Sequence, residues 1–342
     1  MDNDQPQRED RSRSFGNQIR GFVEDNIRRR EPARDMPTFR YQHIRIIINP
    51  ASGQDRPILP VLNQAFHAAD ITWEVAVTNK GGDAYRLAVE AAQSSEVDVV
   101  GVYGGDGTVR EVASGLIGSN KPLLVLPGGT ANALALSLGI PLDLREAASL
   151  VNSAHSRLEA IDMGRVGDRY FSVAVGIGIP GTLAETVNRE DKDRLGVLAY
   201  AFRSIQAMRD TPTAHYRITI DDQPPIQAEG VACVIANSGN LGLLNLPLAS
   251  SISMTDGLLD VILICKADVD ALLSLATSMV RQDESSAPFQ HWQGREVTIS
   301  TTPSQAAQID GETLEMGTWH ASVVPAAIRV ILPETSASER RS

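Results

Sequence analysis

Three glycine-bearing segments, each directly behind a short apolar run, constrain this sequence most. Asn49-Pro50-Ala51-Ser52-Gly53 follows HIRIII, Gly104-Gly105-Asp106-Gly107-Thr108 follows VDVVGVY, and Pro127-Gly128-Gly129-Thr130-Ala131-Asn132 follows PLLVL. VDVVGVY is an apolar, β-branched run of the kind found in strands covered on both faces. Between them lie ILPVLNQAFHAAD, DAYRLAVEAAQS and TVREVASGLIG, with apolar residues at helical spacing, and the further strand ITWEVAVT. Asp83 is a candidate N-cap of the second helix. Strands alternating with helices predict a parallel sheet with crossover helices. Ligands of such sheets bind beyond the carboxyl ends of the strands, where all three loops then fall.

The chemistry of the loops suits phosphate. Glycine lets an anion approach the backbone closely, and a helix N-terminus offers unpaired N–H groups and partial positive charge. Ser52, Thr108 and Thr130 add hydroxyl donors. Asp106 stands out: among phosphates it needs an intervening cation, and Mg²⁺ would supply one, while a helix cap explains the same residue equally well. No GxxxxGK[ST] or GxGxxG occurs, which argues against a P-loop or dinucleotide fold.

From about Ile161 the pattern changes. RYFSVAVGIGI, HYRITIDD, EGVACVIANS, LLDVILICK, EVTISTT and AAIRVILP read as strands, interrupted by the helical LGVLAYAFRSIQAMRD and DVDALLSLATSMV. Short strands with turn residues between them predict an antiparallel sandwich. The expected architecture is therefore α/β plus β: an N-terminal α/β nucleotide-binding domain with a parallel sheet over 40–161, then a C-terminal β-sandwich over 162–333. The last strand is a candidate to return to the first sheet. Residues 1–39 read as an extension, disordered or carrying a short amphipathic helix through Phe15, Ile19, Phe22, Val23 and Ile27, and 334–342 as a polar tail. That helix suits a peripheral membrane anchor or packing on its own domain or a partner subunit, so membrane contact and a homodimer both stay open.

Composition excludes several classes. Charged residues make up 21% and hydrophobic ones 42%, as in a globular chain. A net charge of −11 without a basic stripe argues against nucleic acid. The two cysteines, Cys233 and Cys265, sit in apolar runs and read as buried thiols without zinc-ligand spacing. No apolar leader or run of roughly 20 apolar residues is seen, so a cytoplasmic or peripheral protein is expected.

INPASG, VTNKGGDA, YGGDGTVREVASGL, LPGGTANALALSLGIP, IDMGRVGDRYFSVAVGIG, LGVLAYAF, TDGLLDV and QIDGE together resemble the diacylglycerol kinase catalytic-domain family, which includes sphingosine, ceramide and bacterial lipid kinases. GGDGT is shared with NAD kinases; the NPxSG and PxGTxN segments with a late DGE are more selective. The resemblance implies ATP-dependent phosphorylation of a lipid hydroxyl, with ATP between two domains. It implies nucleotide contacts over Asn49–Gly53 (Pro50, Ala51 and Ser52 included), Thr78, Gly105, Gly107, Thr108, Val109, Arg110, Glu111 and Thr130. It implies Asp106 as Mg²⁺ organiser, Glu312 as proton acceptor, and Asp162 acting through water or on the head group. A structural metal is implied at Asp256 with Ser253 and Leu258. Read locally, Asp310-Gly311 and Asp256-Gly257 are good turns and Asp162 a strand-end cap. Gln54 and Ala133 depart from residues common in the family, and NALA is closer to the sphingosine and ceramide branch, so diacylglycerol and a sphingoid base both stand as acceptors. The rival readings are an NAD-kinase-like enzyme for a soluble substrate and a non-catalytic lipid- or nucleotide-binding regulator. Acyl-groove candidates are Gly176–Leu183 and the helix bearing Leu195, Leu198, Ala199, Phe202 and Ile205.

Overall fold

The apolar runs of the first third become neighbouring strands. The computed structural model describes residues 41–52, 57–178, 211–239, 252–265 and 289–334. The N-terminal helix, the helices expected near 195–210 and 268–280, and most of the first acyl-groove candidate lie outside those residues. β1 (His43–Ile48), β2 (Thr72–Val77), β3 (Val99–Gly104) and β4 (Pro122–Pro127) are parallel in the order β2-β1-β3-β4. Every residue of β3 and β4 is buried, as their continuous apolar runs require. The connecting helices are α1 (Ile58–His67), α2 (Asp83–Gln93), α3 (Asp106–Leu116), α4 (Ala133–Ser137) and α5 (Leu144–Ser149). Leu62, Phe66, Ala88, Val112 and Leu116 bring them onto the sheet in one core. A Cβ on Gly115 would stand 2.8 Å from the Ala88 Cβ, so α2 and α3 cross with their backbones close.

The expected cap of α2 needs correction. Gly82, at φ 84°, occupies the cap position, and Asp83 is the first helical residue. Its Oδ2 turns back to accept from the amides of Asn79 (3.0 Å) and Lys80 (3.1 Å), which shapes the loop after β2.

The second half is antiparallel. β5 (Ser156–Val166), β6 (Arg169–Phe171), β8 (Ala214–Ile220), β9 (Ile226–Gly230), β13 (Glu296–Thr302) and β16 (Trp319–Pro333) extend the parallel strands into one ten-stranded sheet. β7 (Ala174–Ile177), β10 (Ala232–Ala236), β11 (Leu259–Ile264), β12 (Gln290–Gly294), β14 (Ala307–Ile309) and β15 (Glu312–Leu314) form a second sheet, ordered β12-β11-β10-β7-β14-β15. Phe171, Tyr216, Ile218, Cys233, Val261, Ile299 and Trp319 fill the core of this half. Cys233 is fully buried, as expected; Cys265, at the end of β11, is only half-buried.

The last strand does return to the first sheet. The start of β16 pairs with β13, whereas Arg329 and Val330 pair in parallel with Pro122 and Leu123 of β4. Along its other edge β16 pairs with β5, with a register shift between Val324 and Ile328. The boundary expected at residues 161/162 falls inside β5.

Candidate active site

The loops after β1, β3 and β4 are joined by their own hydrogen bonds. Asn49 Nδ2 donates to Thr108 Oγ1 at 2.9 Å, and Asn49 Oδ1 accepts from the Ala51 amide at 3.0 Å. The Gly128 amide donates to Gly104 O at 3.0 Å. Gly105 and Gly129 meet backbone to backbone: a Cβ on Gly129 would stand 2.6 Å from the Gly105 Cα. A Cβ on Gly105 would also lie 3.9 Å from Ser52 Oγ, so Ser52 faces the same spot. Asn132, at φ 49°, clamps the third loop by accepting from the Gly129 amide (2.9 Å) and donating to Gly129 O (2.8 Å).

Asp106 opens α3, but its carboxylate serves the next loop. Its Oδ1 accepts from the Ala133 amide at 2.6 Å. Burial pushes this carboxyl above the usual aspartate range, against the pull of the backbone amides around Asn132–Leu134. A part-buried carboxylate oxygen beside glycine loops is a hard donor of the kind Mg²⁺ takes.

A cavity of about 350 Å³ lies along the ends of β1, β2 and β3. Of the expected nucleotide contacts, Asn49, Pro50, Ala51, Thr78, Thr108 and Glu111 line it. Glu111 also accepts from the Gly82 amide through both oxygens, each at 3.1 Å. Thr130 stands exposed in the third loop, while the Val109 side chain is buried in the core. Gly53 lies outside the described residues. Asn79 and Lys80 line the cavity as well and were not singled out from the sequence. Their signal was available, since NKGGD also follows a strand at the same edge of the sheet.

Glu312 reaches this edge from the second sheet. Asp310 (φ 44°) and Gly311 (φ 88°) form the two-residue turn between β14 and β15, both in the left-handed region that such hairpins need. The part-buried Asp310 carboxylate accepts from the amides of Ser172 (2.8 Å), Val173 (3.1 Å) and Ala174 (2.9 Å), fixing the hairpin to the start of β7. Burial raises this carboxyl, opposed by those amides and by the charge of Arg110. Glu312 thereby sits over the start of α3: a Cβ on Gly107 would be 3.9 Å from Glu312 Oε1. Arg110, expected among the nucleotide contacts, turns its guanidinium to Glu312. Arg169 Nη2 lies 3.6 Å from the other carboxylate oxygen. Nothing in sequence spacing links Arg110 to Glu312.

Asp162 and the Ser253–Leu258 turn form a separate group. Asp162 is 3% exposed. Its Oδ2 accepts from the Gly257 amide and its Oδ1 from the Ala326 amide, both at 2.7 Å. Each oxygen is thus engaged within the fold. Asp256 Oδ1 accepts from the Leu258 amide at 3.0 Å, and Ser253 Oγ from the Thr255 amide at 3.2 Å. This turn supplies one side-chain carboxylate; further donors to a cation there would be hydroxyls, such as those of Ser253 and Thr255, and backbone carbonyls. No group of three or more His, Cys, Asp or Glu side chains able to hold a metal occurs among the described residues.

Residues 43–166 match the model of the diacylglycerol kinase catalytic domain, and residues 173–332 that of the YegS C-terminal NAD kinase beta sandwich-like domain. A diacylglycerol kinase of Bacillus subtilis is 30% identical over 301 residues, covering 86% of this chain and 98% of that protein. The chain belongs to the diacylglycerol kinase family. An uncharacterized Synechocystis protein is 28% identical over 304 residues, covering 84% of this chain and 70% of that protein. A crystal structure of a diacylglycerol kinase from Bacillus anthracis superposes with a TM-score of 0.66 at 23% identity, over 85% of this chain and 97% of that one, and supports the fold. No helix among the described residues is long and apolar enough to cross a membrane.

Proposed function

We propose that this chain is an ATP-dependent lipid kinase that moves the γ-phosphate of ATP to a hydroxyl of diacylglycerol or a related lipid, a sphingoid base being the next candidate. The observation that carries this reading is the meeting of Glu312 with the start of α3 at Gly107, next to Asp106, at the edge where three glycine loops join. The glycine backbones and Thr108 suit the phosphates, and the cavity lined by Thr78, Lys80 and Glu111 suits the rest of the nucleotide. Asp106 is the residue to hold Mg²⁺, which when bound would offset charge on the phosphates. Glu312 is placed to take the proton of the acceptor hydroxyl as that oxygen attacks. Phosphoryl transfer rests mainly on positioning and electrostatics, and these loops supply both. Peripheral contact with a membrane follows from a lipid acceptor and belongs to the same proposal.

The test is transfer of labelled γ-phosphate from MgATP to diacylglycerol, monoacylglycerol, phosphatidylglycerol, sphingosine and ceramide in mixed micelles, with NAD as a soluble acceptor. Label is expected on one lipid and lost in Asp106→Asn, with the fold intact by circular dichroism. Label on NAD alone, or undiminished transfer in the variant, would overturn the reading.

A further inference from the structure

Arg110, on the glycine-loop helix, bridges to Glu312 of the second sheet. It leaves α3 one turn after Asp106, is 9% exposed, and donates through Nη2 to Glu312 Oε1, 202 residues further along the chain. Its Nε is buried without a hydrogen-bond partner among the described residues. Arg169 brackets the same carboxylate from β6 at 3.6 Å, and its own Nη1 donates to Thr313 O at 3.2 Å.

Energetics make this arrangement informative. Burying a guanidinium is expensive, and an apolar residue of similar volume often stabilises a fold as well or better. An unpartnered Nε adds to that cost. Stability alone is thus a poor account of Arg110. Glu312, by contrast, is 45% exposed on a three-residue strand. Left to itself, its long side chain would sample several rotamers. The contact from Arg110 Nη2 limits that freedom and holds Oε1 near Gly107, where a Cβ would lie 3.9 Å from it.

We propose that Arg110 is a positioning residue for phosphoryl transfer: it ties the Glu312 carboxylate to the helix that carries Asp106, so that the proton acceptor and the Mg²⁺ ligand are set as one unit. The inference rests on the kinase reading above. It assigns Arg110 to the acceptor side of the reaction and away from the nucleotide. Misplacing a reacting group by about 1 Å can cost about 10²-fold in rate. A lysine keeps the charge but loses the fork.

The experiment compares Arg110→Met, Arg110→Lys, Glu312→Gln and the Arg110→Met/Glu312→Gln double variant. Arg110→Met is expected to lower kcat by about 10²-fold while the KM for ATP and the affinity for MgADP stay within about twofold, and Arg110→Lys to recover part of the loss. In the Glu312→Gln background Arg110→Met should add little, because the two residues act through one contact. A raised KM for ATP, or losses that multiply in the double variant, would overturn the inference while leaving the kinase reading standing. Normal transfer by Glu312→Gln would instead overturn the role of Glu312 and the inference with it. The same four chains, melted without substrate, give a second readout. Shifts in Tm that add without coupling would show that the pair holds nothing and overturn the inference whatever lipid is used.

Discussion

Asp162, expected at the site, clamps separate segments of the fold. Its carboxylate accepts the Gly257 and Ala326 amides, its own amide donates to Met254 O at 2.7 Å, and its carbonyl accepts from Asn237 Nδ2 at 3.0 Å. Ala326 has φ 48° and sits where β16 changes register, so the carboxylate satisfies an amide that the sheet ladder cannot reach. In Asp162→Asn an amide NH₂ would face one of these donors, which is expected to cost about 2–4 kcal/mol. Urea unfolding measures this directly; MgADP affinity of the folded variant should stay near native. A variant with unchanged stability and lost turnover would return Asp162 to the reaction. IDMG alone could not reveal the clamp, because the partners lie about 95 and 164 residues further on.

At the scale of elements, the loops work by touching. A Cβ on Gly129 has no room against Gly105, and the atom in the way is backbone, so no side-chain rotation relieves the clash. Gly129→Ala should force the loops after β3 and β4 apart. Overpacking of this kind costs about 1–3 kcal/mol, and if the nucleotide site bears that cost, MgADP affinity should fall about tenfold or more. Calorimetric titration reads it; unchanged affinity would mean that the third loop does not help to form the site. The elements readable from sequence were those whose environment is uniform. β3 and β4 are buried throughout, and their apolar runs announce it. β5 escaped notice because its first five residues are part-exposed and the next four buried, so SRLEAIDMGRV carries no single period. Only the last eight residues of β16 were read as a strand, since Pro325 interrupts the pattern near the point where its neighbour on one edge changes from β13 to β4. The glycine loops were legible for their local chemistry; the closure of Arg110 on Glu312 is a product of sheet packing and was not.

For the molecule as a whole, the shared strands decide whether the parallel and antiparallel halves can come apart. The described residues, all from Tyr41 onward, form one compact unit. β16 pairs at one end with β13 and at the other with β4, and β5 accompanies it from Ser156 to Val166. Melting either half therefore strips partners from a strand that the other half needs, and Asp162 fastens the point of exchange. The two cores consequently should unfold together, although each has its own hydrophobic cluster. The three tryptophans permit the test. Trp73 packs edge-on against Phe66, with ring centroids 5.7 Å apart, beside the first core, while Trp319 is buried in the second and Trp292 packs against it. Variants keeping only Trp73 or only Trp319 should give coincident urea transitions by fluorescence, with midpoints that agree once each variant's own stability is matched by circular dichroism. Two separated transitions would show that β16 can release one sheet while holding the other. The candidate active-site edge, built from both sheets, would then open without global unfolding.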